Sequence, residues 1–219
     1  MKSSVITFPG SNCDRDMDVA LKKFGFKNKM IWHDDTKLPK SDLVVLPGGF
    51  SYGDYLRCGS MASKSKIIKS VIDFAQGGGL VLGICNGAQI LVESGLVPGL
   101  ENYQIGISLS ENKRVKNGQV VGIGYFNTWV YLKSSLNNDQ CAFTRTLKPE
   151  EIINIPLAHG EGRFLLKEDL LEELISNNQI PFRYSNSKGD TLGDYPTNPN
   201  GSIYNLSLIH ISEPTRQEA

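Results

Sequence analysis

The first half of the chain alternates short apolar runs with segments of helical periodicity. Four apolar runs predict strands, at residues 5–8, 29–32, 43–46 and 80–83. Apolar side chains that recur every three or four positions predict helices over residues 14–24, 61–74 and 86–93. Asn12 or Asp14 could cap the first of these helices. Strands that alternate with helices are typical of βαβ units around a parallel sheet.

The pattern changes in the second half. Residues 103–132 alternate polar and apolar positions around an Asn117-Gly118 turn, which favours antiparallel hairpins. Residues 167–175 predict a late helix, and residues 190–201 are rich in turn formers and predict a loop. The expected fold is α/β, with a mostly parallel twisted sheet flanked by helices and a smaller antiparallel portion, in one domain over residues 1–205.

Composition narrows the functional classes. The 219 residues carry no formal net charge and no basic stripe, so nothing favours nucleic-acid binding. No apolar run approaches the roughly 18 residues of a membrane span. The four cysteines form no CxxC pair and the three histidines lack zinc-ligand spacing, so no metal site is expected. So few cysteines in a chain of this size indicate a reduced, cytoplasmic protein.

The main chemical signal is the sequence Gly83-Ile84-Cys85-Asn86-Gly87, placed between a predicted strand and a predicted helix. This arrangement is typical of a nucleophile elbow with cysteine in place of serine. The following helix directs its N-terminal N–H groups at the sulfur, so we expect a lowered Cys85 pKa and an oxyanion donor at Asn86. A buried cysteine that merely packs at a strand end remains the alternative.

A second signal, Pro47-Gly48-Gly49-Phe50, also follows a predicted strand. Sites in open α/β sheets form outside the carboxyl ends of the strands. A Gly-Gly turn exposes backbone N–H groups, which suits the second half of an oxyanion hole. Taken alone, an ordinary glycine turn is the simpler interpretation.

Several motifs resemble those of known families. Residues 82–91 are similar to the nucleophile motif of class I glutamine amidotransferases, which have a flavodoxin-like fold. Residues 47–59 form a more specific motif, which resembles the glutaminase-subunit family of phosphoribosylformylglycinamidine synthase. Further segments that match this family are residues 9–16, 158–164 and 198–202.

The resemblance implies that glutamine is hydrolysed by Cys85 and that the ammonia passes to a synthetase subunit in purine biosynthesis. It implies an oxyanion and glutamine pocket formed by Gly48, Gly49, Phe50, Asn86, Gly87 and Gln89. The implied partners are that synthetase and a small accessory subunit. ATP and Mg²⁺ would be used by the synthetase, and this chain would bind no cofactor.

Three further residues fall inside family motifs with roles left open. His159 could line the pocket or the partner interface, or it could be a hydrogen-bonded loop histidine. Asp54 and Arg57 could contact the synthetase, or they could form a local ion pair. Ala88 stands where the family more often has phenylalanine, which affects the shape of the pocket.

The expected catalytic base is not found in its family pattern. The family supplies it from a His-x-Glu motif near the C-terminus, whereas residues 206–219 resemble a non-native tail. His210 and Glu213 have the wrong spacing and receive no role. Residues 100–128 match the family poorly, as a native insertion or a sequence fault would. We therefore expect reduced activity, because general base catalysis contributes about 10²–10⁴-fold.

Two other functions remain open at this point. A cysteine hydrolase or deglycase could use the same fold, although residues 52–59 argue against it. A non-catalytic module that only completes a synthetase assembly would fit the absent base.

Overall fold

The computed structural model describes residues 1–134 and 141–209, which form parts of two compact units. The first unit runs from Met1 to Leu96 and the second begins at Val97. None of the helices in the described residues is long and apolar enough to cross a membrane.

The first unit is built on a parallel sheet in the order β2-β1-β3-β4. Its strands are β1 (Lys2–Thr7), β2 (Lys27–Trp32), β3 (Leu43–Leu46) and β4 (Leu80–Gly83). Its helices are α1 (Asp14–Lys23), α2 (Lys66–Gln76) and α3 (Asn86–Glu93), with short 3-10 turns at Ser51–Asp54 and Ala62–Lys64. All four residues of β3 are buried, as expected for a central strand that is covered on both faces.

The sheet explains where the site forms. Strands β3 and β4 are paired in register from Leu43↔Leu80 to Leu46↔Gly83, so both end at the same edge. The segments that follow them, which begin at Pro47 and Ile84, therefore start side by side. This places the two chemical signals of the sequence next to each other.

Several boundaries differ from the sequence predictions. The first helix begins at Asp14 with Cys13 as its N-cap and no side-chain cap, so the predicted capping by Asn12 or Asp14 is wrong. The helix predicted over residues 61–74 is interrupted, because Ser65 is extended (φ −65°, ψ 149°) and α2 starts only after it.

The second unit is antiparallel in its described residues. Its strands are β5 (Ile107–Glu111), β6 (Lys113–Lys116), β7 (Gln119–Ile123), β8 (Phe126–Ser134), β9 (Ile152–His159), β10 (Glu161–Leu166), β11 (Phe182–Ser185) and β12 (Leu206–Leu208). One helix, α4 (Glu168–Ser176), and 3-10 turns at Glu101–Tyr103 and Ile203–Asn205 complete it. The sheet orders are β10-β5, β12-β11-β8-β9 and β6-β7.

Side chains from the four-stranded sheet form the core of this unit. The buried members are Val130, Leu132, Leu157, Phe182 and Tyr184. The predicted Asn117-Gly118 turn does join a hairpin, β6–β7. The start of the predicted tail, Leu206–Leu208, pairs with β11, and residues 210–219, including His210 and Glu213, lie outside the described residues. The domain boundary at residue 205 stays a prediction.

Candidate active site

Cys85 lies at the sharp junction between β4 and α3. Its backbone has φ 52° and ψ −111°, a conformation that is strained for a residue with a side chain. The residue is exposed to solvent, and its thiol is not in a disulfide. Strain of this kind is retained where it aims a side chain, so the structure supports the nucleophile elbow over a buried packing cysteine.

The glycines on either side of Cys85 allow this close turn. A Cβ at Gly87 would collide with the Leu46 carbonyl oxygen, and one at Gly83 would lie 2.6 Å from a Leu91 methyl carbon. A real Cβ does not approach that closely, so any larger residue must push α3 away from the sheet.

Two backbone N–H groups converge on the sulfur. The N–H of Asn86 and the N–H of Gly49 both hydrogen-bond the Cys85 thiol. The second donor depends on the Gly-Gly turn, because Gly49 has φ 124° and a Cβ there would lie 2.5 Å from the Asn12 nitrogen. Gly48 lies beside the thiol as well, since a Cβ on it would be 3.4 Å from the Cys85 Cβ.

The N–H groups of two other residues in the predicted pocket have different partners. Phe50 N–H donates to the Gly10 carbonyl at 3.1 Å, and Gly87 N–H donates to the Ile84 carbonyl at 2.8 Å. The pair that faces the sulfur therefore consists of Gly49 and Asn86. The Phe50 side chain is 56% exposed at the mouth of the turn.

The expectation of a lowered Cys85 pKa is wrong. Desolvation of the sulfur raises the pKa of Cys85 above its ordinary value, even though part of the residue is open to solvent. The N–H groups of Asn86 and Gly49 oppose this rise, whereas the neighbouring Cys13 thiol and the Asp54 carboxylate add to it. The start of α3 does favour the thiolate, but loss of hydration outweighs it.

The Asn86 side chain connects the two halves of the site. Its Oδ1 accepts a hydrogen bond from the Ser51 N–H at 3.1 Å, and its Nδ2 donates to Gln89 Oε1 at 2.8 Å and to Asp54 Oδ1 at 3.2 Å. Asn86 and Gln89 are both buried, at 1% and 7% exposure. Because these bonds join the elbow, α3 and the turn after β3, they fix the spacing of the two donors.

Arg57 and Asp54 occupy the same loop but contact different residues. Arg57 forms a bidentate ion pair with the buried Glu93 carboxylate, at 2.9 and 2.7 Å. Arg57 therefore forms an ion pair with a residue of α3. Tyr52, which precedes them, hydrogen-bonds His33 Nδ1 through its hydroxyl at 2.8 Å, so this ring nitrogen at the end of β2 has a partner.

His159 belongs to the second unit, at the end of β9. Its carbonyl accepts a hydrogen bond from Asn112 Nδ2 at 2.6 Å, and the same nitrogen lies 3.2 Å from His159 Nδ1. Burial lowers the pKa of His159 to about 4, so the ring is neutral at physiological pH. These contacts are those of a hydrogen-bonded structural histidine.

A separate open groove lies along α1 and β2. Its volume is about 570 Å³, and its lining includes Thr7, Asp18 and Trp32. No cysteine, serine or histidine lines it. Since catalysis needs a nucleophile within reach, the candidate active site is the turn that carries Cys85 and not this groove.

Sequence reasoning missed several residues of the site. The sequence assigned no role in the site to Ser51, Glu93, Cys13 or the side chain of Asn86. Their positions in the two motifs were visible, but no periodic or spacing signal tells which side chain of a loop turns inward. Such pairings depend on the register of β3 and β4.

Comparison with known proteins identifies the family. The model of the CobB/CobQ-like glutamine amidotransferase domain matches residues 1–212. The chain belongs to this amidotransferase family. Membership decides against a cysteine hydrolase of another family on the same fold.

Within the amidotransferase family, the similar proteins are PurQ subunits. Phosphoribosylformylglycinamidine synthase subunit PurQ of Pelagibacter ubique is 56% identical over 209 residues, covering 95% of this chain and 83% of that protein. PurQ of Synechocystis sp. is 42% identical over 206 residues, covering 94% and 83%. A chain in the structure of PurLQS from Thermotoga maritima is 34% identical with a TM-score of 0.72, covering 95% of this chain and 85% of that one. The α/β amidotransferase fold expected from the sequence is confirmed.

Proposed function

We propose that this chain hydrolyses glutamine to glutamate and ammonia. We further propose that the ammonia goes to a synthetase subunit, which converts formylglycinamide ribonucleotide to the amidine. The observation that carries the proposal is the strained Cys85 thiol with the N–H groups of Gly49 and Asn86 directed at it. The names of the similar proteins support the same reaction, since they are subunits of phosphoribosylformylglycinamidine synthase.

The geometry suits acyl transfer through a covalent intermediate. The Cys85 sulfur attacks the side-chain carbonyl carbon of glutamine, and the C–N bond breaks to release ammonia and leave a glutamyl thioester. Water then attacks the thioester, which yields glutamate and frees the thiol. In both steps the carbonyl oxygen becomes an oxyanion, which the Gly49 and Asn86 N–H groups can hold.

Each half-reaction also requires proton transfer. The thiol must lose its proton, the departing nitrogen must gain one, and the attacking water must be deprotonated. The raised pKa of Cys85 makes this requirement stronger, because little of the thiol is ionised at neutral pH in the absence of substrate. The family resemblance implies that a histidine oriented by a glutamate fills this role.

The proposal extends to partners and location. The synthetase subunit and a small accessory subunit are the proposed partners, supported by the PurLQS assembly to which the Thermotoga chain belongs. ATP and Mg²⁺ are assigned to the synthetase. A cytoplasmic location is proposed because the four cysteines, Cys13, Cys58, Cys85 and Cys141, are all free thiols.

The test combines the chain with a PurL-type synthetase and a PurS-type accessory subunit and measures glutamate release. Cys85→Ala should abolish release, whereas Cys141→Ala, which removes a buried thiol of the second unit, should keep it. Mass spectrometry should locate a glutamine-analogue label on Cys85, and excess glutamine should protect it.

The contrary results are equally specific. Glutamate release by Cys85→Ala at the wild-type rate would contradict the assigned nucleophile. Assembly with the synthetase without glutamine-protected labelling of Cys85 would instead favour the non-catalytic module.

A further inference from the structure

The substrate carries a positive charge that the oxyanion donors cannot bind. Free glutamine has an α-ammonium group that is separated from the reacting amide carbon by Cα, Cβ and Cγ, and this group is positive at neutral pH. Burying an unpaired charge is costly, so a selective pocket needs an anionic partner at that distance. A neutral pair of N–H groups cannot supply it.

Asp54 is a carboxylate in the segment that builds the site. It lies in the loop after β3, is only partly exposed, and its Oδ1 is 3.2 Å from the Nδ2 of Asn86, the residue next to the nucleophile. The negative charge of Asp54 also contributes, as the smallest of several causes, to the raised pKa of the Cys85 thiol. Glu93, the other acidic residue joined to this loop, is buried against Arg57 in a bidentate pair.

The backbone holds Asp54 in an unusual position. Tyr52, Asp54 and Leu56 have φ of 55°, 53° and 67°, all in the left-handed region that side chains disfavour. Residues with a side chain are strained in this region, and they persist there only where surrounding contacts fix them. Here the fixing contacts include Tyr52 to His33 and Asp54 to Asn86.

We infer that Asp54 is the substrate-binding residue that recognises the α-ammonium group of glutamine, beside the Cys85 nucleophile. This inference rests on the proposed glutaminase function and names how that site selects an α-amino acid. It also couples binding to catalysis. In the empty site the Asp54 carboxylate disfavours the thiolate, and a bound ammonium offsets that negative charge, so glutamine promotes ionisation of the sulfur that attacks it.

The test uses Cys85 alkylation, which does not depend on turnover. The variant is Asp54→Asn, since an asparagine oxygen can still accept the hydrogen bond from Asn86 while the charge is lost. The control is Asp18→Asn, which removes a carboxylate from α1 that bonds Asn28 and Lys22. The full chain is treated with three probes, and mass spectrometry follows the label on Cys85.

The probes separate recognition from reactivity. The first is 6-diazo-5-oxonorleucine, which carries the α-ammonium group; the second is the same diazoketone without that amino group; the third is iodoacetamide. Asp54→Asn should slow labelling by the first about ten- to hundredfold, as expected for a lost charge-assisted hydrogen bond. Labelling by the second should change less than about twofold, and labelling by iodoacetamide should become faster, because a negative charge near the thiol has gone. Cys13 is the other titratable group that acts on Cys85, and it is unchanged in all variants.

In Asp54→Asn, labelling should become slower with the amino-acid diazoketone and faster with iodoacetamide. A folding defect cannot produce both changes in one variant. Equal slowing of both diazoketones would show that Asp54 only positions Asn86 and would overturn the inference, as would no change with the amino-acid probe. Asp54→Glu should recover part of the preference for that probe. Failure of the wild-type chain to label at Cys85, or to be protected by glutamine, would contradict the proposed function itself and is a distinct result.

Discussion

The neutral, half-buried His159 makes the second unit sensitive to acid. Its ring lies against Asn112, and burial lowers its pKa to about 4 from the ordinary 6.5. In the unfolded chain the ring regains the ordinary pKa. Between these two values the unfolded chain binds a proton that the folded chain does not, so acid favours unfolding.

The size of the effect follows from the two pKa values. At pH 7.5 the ring is neutral in both states and contributes almost nothing to the difference. At pH 5 an ordinary histidine is about 97% protonated, while His159 is about 10% protonated, so the free energy of unfolding falls by about 2 kcal/mol. The loss begins near pH 6.5 and is complete below about pH 4.

The assay is urea unfolding of the wild-type chain and His159→Gln at pH 7.5 and pH 5. Trp129 on β8 reports on the second unit once Trp32 of the first unit is replaced by phenylalanine in both proteins. The variant should be less stable at pH 7.5, because the packing of the ring is lost, but its stability should depend less on pH by about 2 kcal/mol.

The quantity compared is the change in the free energy of unfolding between the two pH values. The loss of ring packing in the variant is the same at both pH values and cancels from this difference. An NMR titration of the histidine ring carbons gives the pKa of His159 directly. The reasoning is refuted if His159 titrates near 6.5 in the folded chain, or if wild type and variant lose equal stability between the two pH values.

Three further predictions concern the first unit. The rate of Cys85 alkylation by iodoacetamide, followed against pH, should have its midpoint above the ordinary thiol pKa of about 8.5; a midpoint below it would contradict the desolvated sulfur. Gly87→Ala should reduce the free energy of unfolding by about 1–3 kcal/mol and abolish glutamate release, whereas Gly77→Ala, whose Cβ meets only ordinary contacts, should leave both unchanged in a parallel melt and assay. Arg57→Met should destabilise more than Glu93→Gln in chemical denaturation, because it leaves a buried carboxylate without its partner; the reverse order would be inconsistent with the bidentate pair.

The elements predicted best are those that one local pattern determines. The bounds predicted for β3, β4 and α3 agree with the structure, because unbroken apolar runs next to glycines leave few other conformations. The strands β9 and β10 were not predicted. Pro156 interrupts the alternation of β9, and a motif of glycines and charges obscures the start of β10.

The candidate site divides in the same way. Cys85 and the turn after β3 were found because glycines at fixed offsets reveal backbone strain. The direction of the Cys85 pKa was missed, because desolvation depends on what surrounds the sulfur in space. The role of Asn112 was invisible too, since its partners His159 and Gly162 are about 50 positions away and follow from sheet pairing.

The donors on the Cys85 sulfur belong to the main chain, and this determines how the site can change over generations. A single codon change deletes a peptide N–H only by introducing proline, so the amides of Gly49 and Asn86 survive almost any replacement that leaves the backbone in place. The oxyanion donors are therefore kept for as long as the backbone arrangement of β3 and β4 is kept. Selectivity depends on side chains such as Asp54, which one base change can replace. A lineage with this fold could therefore change which amide it prefers more easily than it could lose the ability to hydrolyse amides.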